Sequence, residues 1–354
     1  MRSLALSDLP DGFLDFWCPF DAEVCPEADT LSAGTRAWAQ QFDLGDGDPA
    51  KTELYANVGA VFTANVYPHI TGPVGQALTD YSAWGWVAND HALPPQGART
   101  CDVLHKLYRW ARIMRAPSSF PELTTPADAA LTEVFTRLYE EAPARPRARL
   151  VDSQVRWLLD MGWEVVLHER GAQLTVNDYL AMRLGSGGAE AALGYVEIVE
   201  GIEVPDREWT APRFRAASEA GMFAAVLDND RYSLSNDLTN GLTKYTIFNA
   251  LLTEYPNLTA TEALLAGVEI RNRMLNLYIQ LRAQILSGAS SELRRYLTGL
   301  DLIVSGNIVF GATALRYHTP QLADAPQRHE TPTSPPGGDR LPYPTISWWW
   351  DHLT

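Results

Sequence analysis

Asn229-Asp230-Arg231-Tyr232-Ser233-Leu234-Ser235-Asn236-Asp237, past the middle of the 354-residue chain, governs how the rest is read. If the run is helical, positions 229, 233 and 237 are spaced i, i+4 and i+8. At 3.6 residues per turn this drifts by only about 80°, so an amide oxygen, a hydroxyl and a carboxylate share one face. Oxygen-only ligands with a single negative charge suit Mg2+, which keeps waters and shares its remaining positions with phosphate oxygens. The expected ligand of such a face is a diphosphate. An ordinary helix-capping cluster uses the same residue types, because Asn, Asp and Ser favour helix starts and turns.

Outward from this run, helical periodicity dominates. Residues 101–116 place Val103, Leu104, Leu107, Trp110, Ala111 and Met114 at helical intervals with Lys and Arg opposite, and Pro117 ends the segment. Similar patterns run through 127–141, 151–168, 175–184, 189–201, 213–235, 260–288 and 290–312, separated by Pro- or Gly-marked turns at 143–146, 185–188 and 203–212. No strand series with hairpin dipeptides interrupts them. The prediction is an all-α bundle of roughly ten or more helices. Residues 319–345 change character: prolines recur from Pro320 to Pro336, Gly337 and Gly338 follow, and the segment reads as a mobile linker. Beyond it, Ile346-Ser347-Trp348-Trp349-Trp350 is too apolar to leave in water. These tryptophans either dock on the domain as a clasp or fold over the mouth of a site.

At 46% hydrophobic, the chain can bury a large core. Its net charge of −15 argues against a general nucleic-acid surface, which needs Lys and Arg to displace counterions. An anionic ligand must then be recruited by metal and a few specific arginines. Cys18, Cys25 and Cys101 have no zinc spacing and make no even disulfide set, so reduced thiols in the cytoplasm are expected. No secretory segment and no run of about eighteen apolar residues is evident, so a soluble protein without membrane insertion is expected. Gly185-Ser186-Gly187-Gly188 lacks the strand before it and the Lys-Ser/Thr after it that a nucleotide loop requires.

The spacing Asn229-Asp230-x-x-Ser233-x-x-x-Asp237 resembles the second metal motif of class I terpene synthases, which ionise a linear isoprenyl diphosphate and cyclise the resulting cation. Three further segments match that family. Tyr179-Leu180-Ala181-Met182-Arg183-Leu184-Gly185-Ser186-Gly187-Gly188 is similar to the helix break that carries a diphosphate-sensing arginine, with Arg183 as the sensor and Ser186 and Gly187 at the linker and effector positions. Gly306-Asn307-Ile308-Val309-Phe310 and Arg316-Tyr317 are similar to the C-terminal Gly-Asn-x-x-Trp segment and Arg-Tyr pair. Cys18-Pro19-Phe20 through Pro26 to Trp38 reads like the opening of bacterial members, so the resemblance spans about 16 to about 320. It implies a single helical domain over 1–318 around a central cavity, followed by the 319–345 linker and the 346–354 tail. It also implies up to three Mg2+ ions bound with the substrate diphosphate, and it is compatible with a homodimer.

Two departures bear on the metal site. In Trp84-Gly85-Trp86-Val87-Ala88-Asn89-Asp90-His91-Ala92-Leu93, Asn89 stands where the family has its first aspartate and Leu93 where a third acid is often found. A neutral amide adds no Coulomb attraction, so either Asp90 takes over by a register shift or Asn89 ligates weakly. Shared ligation with reduced Mg2+ affinity is the expectation. Asp237 replaces the commoner glutamate, and Asn236 replaces a basic residue for which Arg231 is a candidate substitute. The metal set expected is Asn89, Asp90, Asn229, Ser233 and Asp237. Arg183 and Arg316 would neutralise the leaving group, with Tyr317 nearby, while Phe62, Trp84, Trp86 and Phe310 would face the carbocation. The expected reaction converts farnesyl diphosphate to a sesquiterpene hydrocarbon or alcohol. Geranylgeranyl or geranyl diphosphate, a chain-elongating prenyltransferase and a non-catalytic isoprenoid-binding protein are the alternatives. Gly59, Ala60, Gly85 and Ala88 are the positions expected to deepen the cavity.

Overall fold

The computed structural model describes residues 4–92, 99–120, 122–239, 245–317 and 325–354; Leu93 and the start of the 319–345 segment lie outside them. The first helices are α1 (Ala28–Gln41), α2 (Pro49–Val66), α3 (Gly72–Ala92), α4 (Thr100–Arg115), α5 (Pro126–Glu141), α6 (Ala144–Glu169) and α7 (Val176–Ser186). They are followed by α8 (Ala189–Val199), α9 (Asp206–Trp209), α10 (Pro212–Thr239), α11 (Ile247–Glu254), α12 (Ala260–Leu286), α13 (Ser291–Thr313) and α14 (Pro344–Ser347). Local chemistry sets many of the starts. Asp48 caps α2 ahead of Pro49, Thr125 caps α5 ahead of Pro126, and Thr175 with Asp178 and Thr259 with Glu262 form capping boxes. The 143–146 stretch, read as a turn, instead opens α6: Pro146 sits in the first turn, where its missing N–H has no intrahelical partner to lose.

α10 is the central rod. Nearly every side chain from Phe214 to Ser235 is buried, as expected of a helix enclosed on all sides by α7, α8, α12 and α13. Its outer face is held by charge. Arg271 donates to Asp228 at 2.7 and 2.6 Å with both residues fully buried, and Arg231 donates to the carbonyls of Phe13 and Asp15 while lying 4.0 Å from the Phe16 ring centre. Arg231 therefore points away from the 229/233/237 face and does not replace the missing base. α13 has the length and apolarity to cross a membrane, but 78% of that stretch is buried inside the bundle.

The all-α expectation holds, with one short strand pair beside the bundle. Asp15–Trp17 (β1) pairs in parallel with Gln327–His329 (β2), Phe16 opposite Arg328. The segment expected as a mobile linker is thus, over its described part, laid onto the domain: Arg328 donates to the carbonyls of Cys18 and Phe20, Gly337 N–H donates to Glu269, and Leu341 and Tyr343 are buried. The tail docks as a clasp. Trp349 is fully buried against α10 and its indole donates to Glu219 at 2.8 Å, while Arg213 donates to the carbonyl of His352. No residue of the tail is among those lining the cavity described next, so the lid alternative is not realised.

Candidate active site

The 229/233/237 face of α10 opens onto a cavity of about 220 Å3 walled by α2, α3, α6, α7, α8, α10 and α13. Because α10 is continuous through the run, the three side chains do fall on one side. The Ser233 hydroxyl donates to Asp237 at 3.2 Å, and the Asn229 amide oxygen accepts from Arg183 at 3.3 Å. The Asn229 amide nitrogen donates to the hydroxyls of Tyr232 and Tyr317, at 3.0 and 3.1 Å, so its oxygen is oriented by the protein. Asp230, by contrast, points to the side. It pairs with Arg183 at 3.2 Å and accepts from Tyr179 and from the backbone N–H of Ile247.

Arg183 is the group most constrained by this arrangement. Burial works against its charge, yet Asp230, Tyr179 and Glu164 outweigh that and hold it protonated more firmly than an ordinary arginine. Its Nε is buried without a hydrogen-bond partner among the described residues. Burial likewise opposes the Glu164 charge, but His168, Arg183 and Ser186 keep its carboxyl below the usual range. The chain breaks immediately after Arg183: Ser186 ends α7, Gly187 caps it, and Gly188 turns at φ +77 into α8. A Cβ at Gly187 would crowd the Arg183 carbonyl and Val226. Ser186 is buried, with its hydroxyl against Met182 and its carbonyl accepting from Trp157 at 3.3 Å.

Across the mouth, Asn89 lines the cavity and Asp90 does not. Arg316 grips Asp90 with both arms, at 2.6 and 3.2 Å, and Tyr55 donates to the same carboxylate at 3.0 Å. Burial opposes the Asp90 charge, but these donors hold its carboxyl below the usual range. The Arg316 guanidinium also lies 5.2 Å from the Trp86 ring centre. Tyr317 reaches from the same turn to Asn229, joining the C-terminal pair to the α10 face.

Below this polar rim the walls are aromatic. Phe62 meets Phe310 edge-on at 5.2 Å and Trp86 at 6.4 Å, and Phe310 meets Tyr317 at 5.6 Å. Trp84 is the exception and is a correction. It is fully buried, its indole donates to the carbonyl of Ala127, and it packs on Trp110, away from the cavity. Two residues along a helix are about 200° apart, so Trp84 and Trp86 cannot both face inward. Of the four positions expected to deepen the cavity only Gly85 lines it; Gly59 instead lets α2 approach the backbone of α3 at Ala83. The sequence reading did not single out Tyr67, Tyr81, Trp157, Glu164, Tyr195 or Tyr232, all of which line the cavity. Asn307, quoted only as part of a motif, accepts from Tyr232 and donates to the carbonyl of Ala225, tying α13 to α10.

The Asn229, Ser233 and Asp237 donors are all oxygen and carry one carboxylate, which fits a hard divalent cation sharing its ligands with a phosphate group. The buried unpaired N–H of Arg183 beside them fits the same anion. Comparison with known proteins gives the same direction. A profile of the family described as "Terpene synthase family 2, C-terminal metal binding" matches residues 80–274. A protein named diterpene cyclase DtcycB, from a Streptomyces species, is 35% identical over 347 residues, covering 97% of this chain and 98% of that one. The (+)-T-muurolol synthase of Streptomyces clavuligerus, named as cyclising (2E,6E)-farnesyl diphosphate, is 25% identical, covering 95% and 82%. The crystal structure of a variant of SVS_A2, a protein from ancestral sequence reconstruction, superposes with a TM-score of 0.82 at 26% identity, covering 95% of this chain and 98% of that one.

Proposed function

The chain belongs to the terpene synthase family as a class I terpene cyclase of the bacterial type, a lyase, and from that premise we propose that it ionises geranylgeranyl diphosphate with Mg2+ and cyclises the twenty-carbon cation. The observation that carries the chemistry is the convergence of Arg183, Asn229, Ser233 and Asp237 with Asn89, Arg316 and Tyr317 around one end of an aromatic-lined cavity. Bound Mg2+ would neutralise charge building on the diphosphate as the C–O bond breaks. Arg183 and Arg316 are the chain's own cations aimed at that charge, and they act most strongly where water is excluded. Trp86, Phe62 and Phe310 present ring faces and edges to the cation left behind, each cation–π contact being worth on the order of 1–2 kcal/mol when desolvated.

With Asp90 held by Arg316, Asn89 is the first-motif side chain that, among the described residues, reaches the cavity, and the second motif supplies most of the metal ligation. Support for the longer substrate comes from the wall. Ser82, Gly85, Ala191, Ala192 and Ala225 are small residues at its lining, and the 35% identical relative is named a diterpene cyclase. Farnesyl diphosphate is the second reading, favoured by the name of the T-muurolol synthase. The test is incubation of the purified protein with Mg2+ and, separately, geranyl, farnesyl and geranylgeranyl diphosphate, reading diphosphate release and products by gas chromatography–mass spectrometry. Preferred release from the twenty-carbon substrate with a cyclic product is expected. Preference for farnesyl diphosphate would replace the first reading by the second, and a lengthened prenyl diphosphate would overturn cyclisation.

A further inference from the structure

At the end of the cavity opposite the metal face, three tyrosine rings stand in a row. Tyr195 stacks on Tyr67 at 4.9 Å and lies 6.2 Å from Tyr81 at an interplanar angle of 21°. The two outer phenols are satisfied by protein: Tyr67 donates to the carbonyl of Ala192 at 2.8 Å, and Tyr81 donates to the Gln154 amide oxygen at 2.8 Å. The middle one is not, for the Tyr195 hydroxyl has no hydrogen-bond partner among the described residues, although Tyr195 is 95% buried. Ser82 is in the same condition, 93% buried and without a partner for its hydroxyl among the described residues. A helical serine commonly bonds back to its own helix; the Ser82 hydroxyl does not, and like that of Tyr195 it is open to the cavity instead of being sealed in protein. Between them the Gln154 carboxamide is locked, its nitrogen donating to the carbonyl of Ala191 at 2.8 Å, which leaves one N–H and one lone pair unused.

Ser82, Gln154 and Tyr195 all line the cavity, alongside the apolar Met222 and Ile303. Along α3, Ser82 is about 10 Å from Asn89, and along α6, Gln154 is about 15 Å from Glu164, which puts this polar group deep beyond the diphosphate end. A carbocation cavity gains nothing from unpaired hydroxyls on its floor, and an apolar substrate filling the cavity would strip them of water at a cost. One ordered water requires two to four polar partners, and these three line one cavity.

We propose that Ser82, Gln154 and Tyr195 hold a water at the floor of the cavity, and that this water captures the last carbocation, so that the main product is a terpene alcohol. The inference rests on the cyclase reading above and adds the quenching step. A lone pair of the water oxygen forms the new C–O bond to the cationic carbon. The oxonium then loses one proton, which the diphosphate anion freed in the ionisation takes up as the products leave the cavity; nothing is oxidised or reduced. Ser82 and Tyr195 are positioning residues, since they act through the water.

The experiment runs the full chain with Mg2+ and the preferred prenyl diphosphate in water enriched in 18O, and compares it with Ser82→Ala, Tyr195→Phe and Ser82→Thr. The parent is expected to give an alcohol as main product carrying the label. Per diphosphate released, Ser82→Ala and Tyr195→Phe should lower the alcohol-to-hydrocarbon ratio at least tenfold, and Ser82→Thr, which keeps the hydroxyl, should restore most of it. Diphosphate release from the parent with hydrocarbon as main product overturns this inference alone. An unchanged ratio in both variants overturns it too, because a merely leaky cavity would label the product without depending on these hydroxyls. No release with any of the three substrates would overturn the cyclase reading and this inference with it.

Discussion

Replacing Arg183 with alanine separates what this residue does for the fold from what it does for the reaction. Its guanidinium lies 3.2 Å from Asp230, a carboxylate only 2% exposed. Breaking a buried pair costs about 3–5 kcal/mol when the remaining charge is uncompensated. Here Tyr179 and the Ile247 N–H stay on the other carboxylate oxygen, so about 2–3 kcal/mol is the expected loss. Burial already pushes the Asp230 carboxyl up, with Arg183 foremost among the groups opposing it, and the variant should push it further. A carboxyl raised on folding favours the folded state at low pH and loses that contribution as pH rises through its folded value, so the variant's deficit should grow as pH is raised from the ordinary carboxylate range. Arg183→Ala/Asp230→Asn removes the stranded charge and should recover more than half of the loss. Turnover should behave differently. Losing a preorganised donor to the leaving group costs roughly 10²–10³ in kcat, and the double variant should stay as slow as the single. Urea unfolding followed by circular dichroism reads the first part and diphosphate release the second. A single variant within 1 kcal/mol of the parent in the urea assay, or a double variant that regains turnover, would refute the reasoning.

Asn89→Asp adds a carboxylate at the one first-motif position that, among the described residues, reaches the cavity, and at partial screening this should be worth about 1–2 kcal/mol toward a divalent ion, or roughly a tenfold lower Mg2+ concentration for half-maximal rate. No change in that titration would point to Asp90, released from Arg316, as the ligand. Trp84→Ala should cost about 3–5 kcal/mol of stability with the product pattern kept, whereas Trp86→Ala should cost less stability but slow turnover about tenfold and alter the products. Chromatographic profiles that change for Trp84 and not for Trp86 would reverse the assignment of faces. Trp349→Ala empties a fully buried site against α10 and removes one donor from Glu219, which keeps Arg215, so the urea midpoint should fall by the equivalent of about 3 kcal/mol while the products stay the same. A changed product pattern there would mean the tail reaches the reaction after all.

Much of this protein was legible from local pattern. A period of 3.6 residues marks a helix wherever one face is apolar, and α4, α5, α7, α12 and α13 stand within a few residues of where periodicity and punctuation place them. The 229/233/237 face was equally readable, because spacing along one helix alone decides which side chains are neighbours. Periodicity is silent where a helix is buried all round, and there the tertiary structure decided. On α3 both tryptophans are apolar and enclosed, and only the packing of α4 and α5 shows that Trp84 is core while Trp86 faces the cavity. On α10 the direction of Arg231 was set by the arrival of Phe13 and Asp15 from the far N-terminus, and on α3 that of Asp90 by Arg316 from the far C-terminus. The floor built by Ser82, Gln154 and Tyr195 comes from three helices and has no motif, since each residue taken singly is an ordinary helical position. A chain records what repeats along itself; which polar groups remain without a partner is settled only when distant segments have closed around them.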